Sequence, residues 1–300
     1  MSHRINAIAV AALLAAGGAA TWMGKPEREV SMTSVGELWA DVFRDADQFG
    51  LQLTRVPDKD EMALGEKMAR GIVRGTATSP MWEVYVAAVG QSLVKHARRG
   101  GIRYQFHVID APAENAFALP GGQVFLYTGL LRKMRSEAEL AGVLGHEIAH
   151  VDLRHCIERH QYEMRVPGGE LLRIGQGFMQ IGYAQYQEME ADKAGLRMAL
   201  AAGYDPQATV DLFGRVFRAR LGRDLPPHTP LEELAALSTS MLTDYFRSHP
   251  PSAERMRRLS AAIEEYRREH RGQRQYRGVE NLRRKIARSQ QEFDGEFVRL

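Results

Sequence analysis

His146-Glu147-Ile148-Ala149-His150 places two imidazoles four residues apart with a carboxylate between them. On a helix, residues four apart share a face, so His146 and His150 can point at one metal ion. Glu147 lies about 100° round the helix, close enough to hold a water at that ion. Two nitrogen ligands and a general base are the parts of a zinc peptidase site that still needs one more ligand.

The sequence narrows the choice for that ligand. A metzincin would carry Gly and His seven and ten residues after the first histidine, where this chain has Leu153 and Cys156. His155 follows His150 by five residues, which turns it about 140° away on an ideal helix. Both His155 and His160 therefore read as histidines on the helix surface. A glutamate from a later helix is the other known solution. In Glu188-Met189-Glu190-Ala191-Asp192 the acids at 188 and 192 stack on one helical face. Glu188 is placed to reach the metal, and Asp192 to brace a ligand imidazole from behind. Glu190 falls on the opposite face, where a surface charge is expected.

These residues need helices to carry them. Ser136 and Glu139 form a capping-box pattern that opens the histidine-bearing helix, which is expected to run to about Gln161. Tyr186 to Ala202 reads as the glutamate helix, closed by Gly203. Upstream, Asp58 with Glu61 marks the start of one amphipathic helix. Met81 to His96 reads as another, with Val84, Ala87, Ala88, Leu93 and Val94 on its apolar face. The period then changes to two. Tyr104, Phe106, Val108 and Ile109 make a strand, and Pro120-Gly121-Gly122 joins two more apolar runs as a turn. A last helix starts after His249-Pro250-Pro251, capped by Ser252.

Composition limits the rest. The chain of 300 residues is 44% apolar and 26% charged with net charge +3, so it is globular and lacks a strong field for nucleic acid. Cys156 is the only cysteine, so no intrachain disulfide or cysteine-based zinc finger can form. Ile5 to Met23 runs nineteen residues without a charge, with Gly18 and Ala20 suited to a signal peptidase. The reading is a secretory signal over 1–20, with an uncleaved anchor to about 23 as the alternative. Either puts the folded part outside the cytoplasm. From Arg255 to Leu300 there are twelve arginines and one lysine among many acids, the pattern of a solvated helical tail.

Several segments together resemble the HtpX-like and CAAX prenyl protease (type I) zinc metallopeptidases, a gluzincin family. They are Asn115 to Gly122, Gly129-Leu130-Leu131, Ser136 to Leu140, Gly145 to His150, Glu188 to Asp192, and His249-Pro250. The resemblance covers roughly Asp58 to Leu259. With no internal apolar segment long enough to cross a membrane, the chain looks like the soluble periplasmic branch, so CAAX processing does not carry over.

The resemblance implies an α+β fold, a mostly helical zincin-type peptidase with a small sheet whose edge strand borders the active-site cleft. It implies one Zn²⁺ per chain on His146, His150 and Glu188, with Glu147 as general base and Asp192 in support. It also implies that the strand at Asn115, Ala116, Phe117 and Ala118 pairs with substrate backbone. His249 either fills the open zinc position as a latch or contacts the transition state.

The organisation expected is a signal at 1–20, a linker and helix at 21–57, a peptidase domain at 58–259 and a charged tail at 260–300. The function expected is zinc-dependent cleavage of unfolded or misassembled envelope proteins in the periplasm, as quality control. The alternative is a latent or non-catalytic, chaperone-like zinc protein. Membrane contact is expected only through an uncleaved N-terminus or the basic tail, and no nucleic acid partner is expected.

Overall fold

Pro57 begins the first helix, α1 (Asp58–Val73), whose first turn carries Asp58, Asp60 and Glu61 against the positive end of the helix dipole. The expected cap does not form: Pro57 is the N-cap, and no side chain closes it. Glu61 is fully buried and its carboxylate meets Arg99 at 2.6 Å and the Gly121 N–H at 3.0 Å. A buried carboxylate is stabilised far more by a guanidinium than by its own helix terminus. The computed structural model describes residues 55–165, 183–221, 245, 249 and 253–299. The apolar N-terminal run, the linker and helix after it up to residue 54, and the cap expected at Ser252 lie outside those residues.

α2 (Pro80–Val94) has proline at its first turn, where a missing N–H costs nothing. Its buried face is Tyr85, Val86, Val89, Gly90 and Leu93, while Val84 is 67% exposed. The expected apolar face was therefore rotated, because Tyr85 turns inward to bond a buried acid, Glu137. Three strands follow, β1 (Gln105–Ile109), β2 (Ala116–Leu119) and β3 (Gln123–Tyr127). Their order is β1-β3-β2, with β1 parallel and β2 antiparallel to β3. The turn from β2 to β3 needs glycine: Gly121 has φ 71, and a Cβ there would lie 2.4 Å from the Met62 Cα.

After the short α3 (Thr128–Leu131) comes α4 (Glu137–Asp152), in which all sixteen residues are buried. The Ser136 hydroxyl caps it by accepting the Glu139 N–H. The Glu139 carboxylate turns instead to the Arg135 N–H and to Arg215. α4 stops well short of Gln161. Leu153 and Arg154 break it, Arg154 takes a left-handed φ of 69, and α5 (His155–Arg165) starts anew. The break is held in place by charge. Asp152 Oδ1 accepts the N–H groups of Arg98 and Arg99, and the Arg154 guanidinium meets Asp58.

α6 (Gln185–Ala201), α7 (Gln207–Leu221) and α8 (Ala253–Glu269) complete the helical layer around α4. The rest of the expected helical tail is neither all helix nor wholly solvated. β4 (Arg274–Tyr276) and β5 (Phe297–Arg299) pair antiparallel around α9 (Val279–Arg284), and Tyr276, Asn281 and Ala287 are buried. This unit seals the start of α4, where the Glu137 and Ala138 N–H groups donate to Gly278 O and Arg277 O. Glu137 itself accepts from Tyr85, Tyr204 and the Arg288 N–H, each at 2.8 Å. The arginines that looked like a solvated face are partly structural, since Arg288 also donates to the Ala202 and Gly203 carbonyls. The architecture is α+β, and no described helix is long and apolar enough to cross a membrane.

Candidate metal centre

Helical spacing on α4 brings His146 Nε2 and His150 Nε2 to 3.0 Å of each other. The carboxylate comes from α6, and two glycines let it come close. A Cβ on Gly195 would lie 2.7 Å from the Gly145 carbonyl carbon, so the two backbones touch with no side chain between them. At that separation Glu188 Oε1 stands 3.5 Å from His150 Nε2, and its Oε2 stands 3.4 Å from His146 Nε2. His249 arrives from far along the chain, with Nδ1 3.2 Å from His146 Nε2 and 2.8 Å from Glu188 Oε1. Donor atoms of His146, His150, Glu188 and His249 all lie within 4.8 Å of one another, and all four residues are buried.

This donor set fits a metal ion. Tetrahedral nitrogen and oxygen ligands at zinc-like bond lengths lie about 3.3 Å apart, close to the spacings here. Ring nitrogens that face one another compete for protons, and a shared cation resolves the conflict. The electrostatics point the same way. Burial holds the His150 imidazole well below its ordinary pKa, in the neutral form that ligates metals. At His146 burial opposes a charge, but Asp192 and Glu188 outweigh it and lift the imidazole to about 9. A field that favours a proton there favours a metal cation as well. Glu188 is opposed by burial, yet His249, Arg255 and the two α4 histidines hold its carboxyl well below the usual range.

Glu147 is the distinctive group. It is wholly buried and neither carboxylate oxygen has a hydrogen-bond partner in the described protein. The imidazole of His249 comes near, with Nε2 3.6 Å from Glu147 Oε1, too far for a hydrogen bond. A lone buried carboxylate is costly, and a fold that keeps one has a use for it.

Asp192 stands behind His146, with Oδ1 3.0 Å from His146 Nδ1. The sequence did not identify what fixes Asp192. Arg255 on α8 holds it through Nε at 2.7 Å and Nη2 at 2.8 Å, while its Nη1 reaches Glu188 Oε2 at 2.8 Å. The available signal was its place six residues after His249, together with the need of two buried acids for a cation.

His155 differs from expectation, while Glu190 is exposed as a surface charge should be. His155 is 3% exposed, its Nδ1 lies 3.0 Å from His150 Nδ1, and its Nε2 lies 3.3 Å from Glu190 Oε2. The 140° rotation assumed an unbroken helix, and the kink at Arg154 undoes it. Tyr183 was also missed as a neighbour of the site. Its ring stacks on His150 at 3.7 Å, and its hydroxyl lies 3.2 Å from Cys156 Sγ.

β2 is an edge strand that runs beside α4. Asn115 O accepts the Tyr127 N–H, so residues 115, 117 and 119 bond to β3, and Ala116 and Ala118 turn their backbone outward. The Ala116 N–H is taken by the Asn115 side chain, and Ala118 O is approached by Cys156 Sγ at 3.6 Å. Phe117 points to the other face, stacked on Phe125. Just before the strand, Glu114 O accepts the Tyr245 N–H at 2.7 Å, and Tyr245 O accepts the His249 N–H. The segment with His249 is thereby tied to the head of β2.

Helix-borne histidines four apart, a glutamate from a second helix and an isolated buried acid define a metallopeptidase site. Over residues 80–167 and 169–263 the chain matches the family described as Peptidase family M48, and it belongs to that family. It is 31% identical over 176 residues to the beta-barrel assembly-enhancing protease of Escherichia coli (strain K12), covering 49% of this chain and 36% of that protein. Over 175 residues it is 30% identical to the mitochondrial metalloendopeptidase OMA1 of Arabidopsis thaliana, covering 54% and 32%. The protein of that name from Schizosaccharomyces pombe is 30% identical over 197 residues, covering 61% and 53%. The matches span about a third to a half of these relatives' lengths.

Proposed function

We propose that the chain is a zinc-dependent endopeptidase that cleaves unfolded or misassembled proteins of the bacterial envelope. The carrying observation is Glu147, buried and without a hydrogen-bond partner beside four convergent donor atoms. His146, His150 and Glu188 would hold the zinc, and Asp192 would orient His146. When bound, zinc supplies a Lewis acid for the scissile carbonyl and makes a water acidic enough to lose a proton near pH ~7. Glu147 takes that proton on a carboxylate oxygen and passes it to the nitrogen of the departing amine. The outward Ala116 C=O and Ala118 N–H are the backbone groups that would pair with an extended substrate, with little demand on its sequence.

His249 would act as a latch, its Nδ1 filling the fourth donor place until substrate displaces the segment. The tie from Tyr245 to Glu114 supports this, because the same segment borders the head of the substrate strand. The charge-free N-terminal run supports delivery to the periplasm, and the name of the Escherichia coli relative supports envelope proteins as clients.

The test is casein cleavage by zinc-loaded Glu147→Gln beside wild type. We expect a loss of about 10²–10⁴-fold with zinc retained, the usual worth of general acid–base catalysis. Cleavage at the wild-type rate sinks the mechanism. The rival is a chaperone-like protein with a latent zinc site, in which wild type binds zinc and client but cuts nothing even as His249→Ala. Faster cleavage by His249→Ala supports the latch, and slower cleavage points to a transition-state contact.

A further inference from the structure

We propose that Glu190 and His155 form an outer hydrogen-bond chain that fixes the tautomer and orientation of His150 for metal binding. The inference rests on the metal site proposed above and adds two positioning residues to it. His150 turns Nε2 toward the donor cluster, 3.0 Å from His146 Nε2, and turns Nδ1 toward His155 Nδ1, also at 3.0 Å. A neutral imidazole has one N–H and one bare nitrogen, so one of the two facing Nδ1 atoms must donate and the other must accept.

A ligand needs its bare nitrogen on the metal side, so His150 carries its proton on Nδ1 and donates to His155 Nδ1. His155 then carries its own proton on Nε2, which lies 3.3 Å from Glu190 Oε2, a group that only accepts. Every atom of the chain has one consistent role. The reverse assignment leaves the proton of His150 on Nε2 and removes the lone pair that would bind metal. It also sets a bare His155 Nε2 against Glu190 Oε2, two acceptors face to face.

The surroundings make this chain necessary. His155 is buried, so solvent is a poor substitute for its Nδ1. Tyr183 stacked on the His150 ring sets the plane of the imidazole, but a plane does not choose which nitrogen faces the metal. The contact from His155 makes that choice. It exists only because α4 breaks at Arg154, whose φ of 69 starts α5 with His155 facing back toward His150.

The experiment measures zinc affinity of the full chain by competition with a chromophoric chelator, for wild type, His155→Phe, His155→Gln and Glu190→Ala. Phenylalanine keeps a ring but accepts nothing, and zinc should bind about 10–100-fold more weakly, the usual cost of losing such an outer partner. Glutamine offers an amide oxygen to His150 and an amide N–H to Glu190, so it should recover most of that loss. Glu190→Ala, at a position 58% exposed, tests the chain without a packing defect and should weaken zinc by a smaller factor. Nitrogen-15 NMR of the zinc-loaded proteins should show the His150 Nδ1 proton protected in wild type and His155→Gln, and exchanging in His155→Phe. Equal zinc affinity in wild type, His155→Phe and Glu190→Ala overturns the chain while leaving the metal site standing. Wild type that binds no zinc overturns the proposed function, and this inference with it.

Discussion

The two α4 histidines are supported in opposite ways. Behind His146 stands Asp192 at 3.0 Å, itself gripped by Arg255 through two bonds, so the whole support is buried. Behind His150 stands another imidazole, His155, and the chain ends on Glu190, a carboxylate 58% exposed. One side concentrates charge in the interior, and the other passes it outward to water. The contrast shows how a fold can seat a cation without gathering too many buried acids. A second buried carboxylate behind His150 would repel Glu188 and Asp192, whereas an interposed imidazole transmits orientation and leaves the charge at the surface.

That contrast sets an order of effects. Arg255→Leu should be the most damaging change, because it leaves Glu188 and Asp192 as uncompensated buried acids. We expect a stability loss of about 3–5 kcal/mol by urea unfolding and a fall in zinc affinity. If Arg255→Leu costs no more than Glu190→Ala, the two sides are equivalent and the contrast fails.

Gly195→Ala strikes both sides at once, since its Cβ would lie 2.7 Å from the Gly145 carbonyl carbon and from His146 N. Backbone has no rotamer with which to yield, so α4 and α6 must part. The expected cost is about 1–3 kcal/mol, with zinc binding weakened beyond what thermal stability alone implies. Tyr183→Leu touches only the His150 side. It removes a ring stacked at 3.7 Å, and should cost about 0.5–1.5 kcal/mol with a smaller effect on zinc than His155→Phe.

A separate effect is a pH slope beside the exposed end of the chain. Burial pushes the Glu158 carboxyl up to about 7; Arg154 opposes this, and the charges of Glu190 and Glu61 add to it. A carboxyl with a raised pKa stays protonated in the folded state where the unfolded chain has already lost its proton. The folded state then binds more protons, and stability falls as pH rises from about 4.5 to about 7. Glu158→Gln should flatten that slope in urea titrations at pH 5 and pH 8. An unchanged slope would mean that Glu158 does not feel this environment.

Much of the centre can be read from residue spacing alone. His146, Glu147 and His150 share one helix, and Glu188 with Asp192 share another, so their faces follow from the helical repeat. The β2–β3 hairpin is equally local, set by Pro120-Gly121-Gly122. The misreadings fall where distant segments meet. Val84 is apolar yet exposed, whereas Tyr85 is inside because its hydroxyl donates to buried Glu137. Arg288 and Arg277 looked solvated, whereas carbonyls and Asp205 claim them.

From residue types and periodicity come the two candidate ligand pairs and the carboxylate between the histidines. Those properties follow from the turn of a single helix or strand, which short-range sterics and hydrogen bonding impose wherever the segment lies. Tertiary structure decided that His155 stands behind His150, that Arg255 locks Asp192, that His249 joins the donor cluster and that the C-terminal unit seals α4. Each of these depends on a kink, a glycine contact or the return of a remote segment. They are fixed by which buried charges and hydrogen-bonding groups must satisfy one another once the chain has closed.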